Sequence, residues 1–145
     1  YTSQKEGVNM QKEWLEMFEK ARRIISPKEV SPFITYGNHS CAILTSSKNI
    51  YTSVNILSSL DISSTAEKNA ITQMLNNGEH KIEKMLLLNE LEEIILPSQD
   101  CFEYLVELCD DVNDIEILTD LNNFKSIKLS ELLPNWWGTF REKKN

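Results

Sequence analysis

The chain has 145 residues, of which 41% are hydrophobic and 26% charged, and a formal net charge of −7. That length suits one domain with a substantial core, and the apolar fraction is ordinary for a globular protein. The acidic balance excludes a general nucleic-acid binder, which needs clustered Lys and Arg to displace counterions, and no apolar run approaches the roughly 20 residues of a membrane-spanning helix.

Residues 1–9 are polar, include Gly7 and lack the apolar core of a secretory signal, so they read as a flexible N-terminal segment. Residues 10–26 carry Trp14, Leu15, Phe18, Ala21 and Ile25 on one stripe, with Glu13, Glu16, Glu19, Lys20 and Arg23 elsewhere. This is the pattern of an amphipathic helix, stopped by Pro27. Two strands are expected at 40–45 and 49–55, joined by the short polar turn Ser46-Ser47-Lys48. A second helix is expected at 65–76, with Ala66, Ala70, Ile71, Met74 and Leu75 making its apolar face and Asn77-Gly78 closing it.

Residues 84–88 form a short apolar run suited to a buried central strand. After Pro97, residues 99–109 read as a third helix with Cys101, Leu105 and Leu108 inward, and 115–119 and 124–129 as two more strands. The segment 130–138 ends the domain and 139–145 reads as a tail. Helices interleaved with strands give a layered α/β domain over 10–138. The locally basic spots, Arg22-Arg23 and 141–144, read as solvated surface. Cys41, Cys101 and Cys109 are odd in number and match no disulfide framework, so a reducing, cytoplasmic location is expected.

Four segments, in this order, carry a family likeness. Ile50-Tyr51-Thr52-Ser53-Val54-Asn55 is similar to the strand pattern I-[YF]-T-G-V-N, with Ser53 for the glycine. Thr65-Ala66-Glu67-Lys68-Asn69-Ala70-Ile71 resembles the helix start C-A-E-R-x-A-I, and Asn77-Gly78-Glu79 its close. Leu96-Pro97-Ser98-Gln99-Asp100-Cys101 stands where S-P-C-G-x-C is found, and Ser130-Glu131-Leu132-Leu133-Pro134 with Trp137-Gly138 is similar to a terminal E-L-L-P segment. Together they resemble the cytidine deaminase superfamily, most closely its free-nucleoside branch, which includes cytidine deaminase and blasticidin S deaminase. The resemblance implies a three-layer α-β-α domain with a five-stranded mixed sheet.

It also implies a zinc site, in which three Cys or His ligands leave a fourth position for water and a glutamate moves protons. Carried over, the ligand positions are Thr65, Ser98 and Cys101, and the glutamate is Glu67. Two of the three ligand positions hold hydroxyls, which are poor zinc donors because ionising them costs far more than ionising a thiol. Neither His39 nor His80 is expected at the helix starts. No metal is therefore expected, and Zn enters only if a rearranged ligand set exists.

Each residue also has a structural reading. Ser64 and Glu67 form an S-x-x-E capping box, Ser98 is a helix N-cap, and Cys101 is a small buried hydrophobe. Asn55 matches the family's sugar-contacting asparagine, while Leu57 replaces its partner glutamate and Lys68 and Phe102 replace two nearby arginines. Trp136-Trp137 either covers a neighbouring subunit's pocket or packs the last segment; tandem exposed tryptophans favour a homo-oligomer, dimer or tetramer.

The first functional reading is a cytidine deaminase-like protein that has lost zinc and hydrolysis and acts as a binding or assembly module, with a small nucleoside-like ligand or a protein partner open. The alternative is an active zinc-dependent deaminase of cytidine or a related aminated nucleoside, with Glu67 as general acid/base. A different metal-free enzyme is the third. No nucleic acid or membrane partner is expected.

Overall fold

A computed structural model describes residues 2–60, 62–108 and 114–132. In chain order the elements are α1 (Thr2–Arg23), β1 (Lys28–Ser31), β2 (Ile34–Thr45), β3 (Ile50–Ser58), α2 (Ala66–Asn76), β4 (Ile82–Leu88), β5 (Ile94–Ile95), α3 (Gln99–Leu108), β6 (Glu116–Asp120), β7 (Lys125–Lys128) and the short α4 (Leu129–Leu132). The first helix starts at Thr2, upstream of the expected Met10. Cys109, Pro134, Trp136, Trp137, Gly138 and the tail lie outside the described residues.

The five strands expected from sequence form the body of one mixed sheet, in the spatial order β3, β2, β4, β6, β7. All neighbours are antiparallel except β4 and β6, which run parallel because α3 crosses between them. Two short strands were not expected: β1 pairs with the start of β2 on the side that β4 occupies further along, and β5 pairs with the end of β4.

Strand alternation divides the core into two layers. Ala42 and Leu44 of β2, Leu86 and Leu88 of β4 and Leu118 of β6 face α1, where Trp14, Met17 and Ala21 are buried. The α1 stripe thus runs through Met17, while Leu15, placed on it by the sequence pattern, is 46% exposed. Cys41, Ile43, Met85, Leu87 and Ile117 face the opposite way, against Ala70, Ile71 and Met74 of α2 and Phe102, Leu105 and Val106 of α3. The result is a three-layer α-β-α domain, as the resemblance implies. Each fully buried large side chain contributes about 1.5–3 kcal/mol by leaving water.

Two glycines set backbone that other residues would not. Gly78, with φ +79°, ends α2: Glu79 N–H donates to Met74 O and Gly78 N–H to Leu75 O, the paired bonds of a left-handed helix stop. Gly37, with φ +88°, lies where β2 loses register with β3 between Tyr36 and Ser40, and a Cβ there would come within 2.5 Å of Ser26 O. The close crossing of Ser26, whose N–H donates to Gly37 O at 3.2 Å, requires glycine.

Candidate functional site

The irregularity at Gly37 removes Asn38 and His39 from regular pairing with β3. The His39 N–H, left without a ladder acceptor on that strand, donates instead to Asn55 Oδ1 at 2.9 Å. Asn55 is thereby fixed at the C-terminal part of β3, only 7% exposed. From there the chain turns towards α2: Ile56 and Ser64 exchange backbone bonds at 2.9 Å each way, and Ser58 N–H donates to Ser63 Oγ at 2.8 Å. Asn69 of α2 then donates to Val54 O at 2.8 Å, fastening the helix start against β3.

Thr65 caps α2, its Oγ1 accepting from Lys68 N–H at 3.2 Å. This corrects the capping box expected from Ser64 and Glu67. Ser64 is held extended by its bridge to Ile56, so the hydroxyl one residue later meets the open amides, and Glu67 falls within the first turn with its side chain directed to the interior. Ser98 caps α3 as expected: its Oγ accepts from Cys101 N–H at 3.3 Å and its carbonyl from Phe102 N–H at 3.2 Å.

The starts of α2 and α3 meet over a pocket of about 440 Å³, a volume ordinary for small-ligand sites. Thr65, Glu67, Ser98 and Asn55 all line it, as does Leu57. Cys101 does not; it lines an adjoining cavity of about 330 Å³ together with Thr65, Lys68, Ser98 and Asp100. Phe102 is buried in the core between α3 and the sheet. Four of the five candidate site residues thus line one pocket, and the fifth lines the cavity that adjoins it.

His39 was not expected at the helix starts, yet it lines this pocket. Its position depends on the β2 irregularity, which only a positive-φ glycine two residues earlier hints at. Cys41 is a second unexpected neighbour. Burial pushes its thiol well above the ordinary range, with the charges of Cys101 and Glu67 adding to that. Burial likewise raises the Cys101 thiol, with a further contribution from Glu67. Both cysteines are free and buried, and the core behind the pocket therefore resists negative charge.

Glu67 itself is 4% exposed. Its side chain lines the pocket, and its oxygens are not among the buried polar atoms of the described residues that lack a hydrogen-bond partner. Its place in the first turn of α2 puts it in the favourable field of the helix N-terminus. What the pocket offers chemically is one buried carboxylate, the Asn55 amide, two capping hydroxyls and apolar walls from Leu57, Leu87, Ile95 and Leu96.

The donor set does not fit zinc. Thr65 and Ser98 offer neutral hydroxyls whose oxygens already serve the helix caps, and Cys101 would have to ionise in a buried setting that disfavours the thiolate. Among the described residues no group of three or more His, Cys, Asp or Glu side chains is placed to hold a metal ion. No helix there is long and apolar enough to cross a membrane.

The fold is that of the cytidine deaminases. The chain is similar to the cytidine deaminase of Mycobacterium tuberculosis at a TM-score of 0.66 and 16% identity, over 84% of this chain and 94% of that one. The Mycobacterium leprae enzyme gives 0.67 and 18%, over 84% and 98%. The Bacillus anthracis enzyme gives 0.64 and 20%, over 89% and 93%. No family model and no curated protein sequence matches the chain.

Proposed function

We propose that this protein is a metal-free relative of the nucleoside deaminases that retains the pocket as a small-molecule binding site and has lost the hydrolytic reaction. The observation that carries the reading is the employment of Thr65 and Ser98. At two of the three positions where the family resemblance implies zinc ligands, the side chains are hydroxyls that cap α2 and α3. A deaminase of that family needs metal-activated water, and a carboxylate alone does not generate hydroxide at neutral pH.

Retention of Glu67 and Asn55 on one pocket wall supports binding as the surviving role, for a small nucleoside-like or other compact ligand. Leu57 on the same wall disfavours an ordinary ribose contact, because an alkyl chain leaves a buried sugar hydroxyl unpaired at a cost of about 1–3 kcal/mol. The free thiols Cys41 and Cys101 support a reducing, cytoplasmic setting. A homo-oligomer is part of the same reading, and light scattering of the full chain tests it.

Metal content of protein purified without chelator tests the main reading: no stoichiometric zinc is expected and no turnover of cytidine, deoxycytidine or blasticidin S. Stoichiometric zinc would overturn it in favour of an active deaminase with Glu67 as general acid/base. Thr65→Cys with Ser98→Cys supplies two thiolates beside Cys101, and zinc uptake by this double variant is the expected result. The lost caps cost about 1 kcal/mol each before metal binds. Failure to take up zinc would show that the two helix starts no longer hold the ligand geometry.

A further inference from the structure

A second cavity lies on the other face of the sheet, between the N-terminal half of α1 and the strands β2, β3 and β4, and its volume of about 560 Å³ exceeds the 440 Å³ of the site pocket. Its apolar lining is Met10, Leu44 and Ile50. Lys12, Lys48 and Lys84 bring three ammonium groups to the same lining, against the carboxylates of Glu13 and Glu16. Lys20, 3.6 Å from Glu16, and Glu83, 2.7 Å from Lys48, add one charge of each sign nearby. The cavity is therefore positive by one charge, in a chain whose net charge is −7.

Glu13 shows what these ammonium groups are placed to hold. Lys84 donates to its Oε1 at 2.6 Å and the Lys48 ammonium stands 3.2 Å from its Oε2, so two lysines meet the two oxygens of one carboxylate. Burial works against charge on that carboxyl, yet the bonds and charges of the two lysines outweigh it and hold the group below its usual value. A carboxylate is the favoured species there. An ammonium has three N–H donors, and on Lys84, 5% exposed, Glu13 and the face of the Trp14 ring at 5.5 Å answer two of its sides.

We propose that this cavity is a second binding site, for a small monocarboxylate whose apolar body lies over Met10, Leu44 and Ile50 and whose headgroup shares Lys84 and Lys48 with Glu13. One such anion brings the lining to neutrality, and Lys12, exposed on α1, adds to the attraction at its approach. A cation would meet three lysines, and a neutral body forgoes charge-assisted bonds, which are roughly twice as strong as neutral ones. A phosphate dianion overshoots the single positive charge of the lining. This site is separate from the pocket at the starts of α2 and α3 and does not depend on whether that pocket holds metal.

Benzoate, benzamide and benzylamine keep one aromatic ring and carry a negative, no and a positive charge. Titrated calorimetrically into the full chain at neutral pH and low salt, benzoate should bind saturably and roughly tenfold or more tighter than benzamide, with benzylamine weakest. Lys12→Gln, at an exposed position where the fold is not at stake, should weaken benzoate several-fold. Lys84→Met should remove the advantage over benzamide, and Glu13→Gln, which withdraws the competing carboxylate, should tighten benzoate, with folding of both variants checked by circular dichroism. No saturable binding of benzoate, equal affinities for benzoate and benzamide, or benzoate binding unchanged in Lys12→Gln and Lys84→Met would each overturn the proposal. Weaker benzoate binding in folded Glu13→Gln would overturn it as well.

Discussion

Among the described residues each face of the sheet buries one charged side chain, Lys84 on one and Glu67 on the other, and their surroundings differ. On the α1 face Lys84, 5% exposed, is met by Glu13 at 2.6 Å, and its ammonium lies 5.5 Å from the centre of the Trp14 ring. Lys48 adds a second cation to Glu13 at 3.2 Å. On the α2 and α3 face the Glu67 side chain, 4% exposed as a whole, lines the pocket, and its oxygens are not among the buried polar atoms of the described residues that lack a partner. A buried charge that is paired belongs to the architecture and joins α1 to β4. A carboxyl group that opens onto a cavity is available to a ligand.

The largest expected effect comes from breaking the paired side. Glu13→Ala leaves Lys84 inside without its counter-charge and should destabilise the fold by about 3 kcal/mol, read as a lowered urea midpoint. Lys84→Met, which removes the buried charge and keeps the volume, should cost far less. If the two variants lose equal stability, the pair is not what holds α1 to the sheet.

The pocket side should answer far more weakly. Glu67→Gln keeps the volume of a side chain that opens onto the pocket and is expected to change stability by less than about 1 kcal/mol, measured in the same urea titration. A larger destabilisation would mean that Glu67 has an intramolecular partner, and the contrast between the two faces would fall.

The smallest effect is in acid. On Glu13, burial works to raise the carboxyl but is outweighed by hydrogen bonds from Lys84 and Lys48 and by their charges, so the net shift is downward. Glu79, held by the Tyr51 hydroxyl and then by Thr45 and Asn49, falls from 4.5 to about 2. A carboxyl lowered in the folded state contributes stability above its unfolded value, and that contribution is lost as the pH falls through the folded one. Stability should therefore decline below 4.5 towards about 2, and Glu79→Gln should flatten part of that decline by lowering stability at neutral pH by a matching amount, with little difference from the unaltered protein below about 2. An unchanged acid profile in this variant would show that Glu79 does not contribute to it.

Much of the fold was legible because its signals are local. The short polar turn Ser46-Ser47-Lys48 marks the junction of β2 and β3, a continuous apolar run marks β4, and helical spacing with a glycine stop marks α2. The two additional strands were not legible: the side chains of β1 are largely exposed and β5 has only Ile94 and Ile95, so neither carries a pattern of its own and both exist by pairing. At the site, Asn55, Thr65, Glu67 and Ser98 could be named from their motifs. Choosing Thr65 over Ser64 as the cap required the backbone bridge between Ser64 and Ile56, and His39 reached the pocket only through the irregularity beside Gly37.

By itself the sequence determined which segments become helices and strands, and it put hydroxyls at positions where the family resemblance implies metal ligands; both are properties of single residues and their near neighbours. Which buried charge is neutralised was decided by the tertiary structure alone. Glu13 and Lys84 are 71 residues apart, and only the docking of α1 on β4 brings them together. Glu67 faces a cavity whose lining, among the described residues, includes no lysine or arginine. Electrostatic pairing inside a protein acts over a few ångströms, and no local pattern records which distant groups the fold will bring within that range.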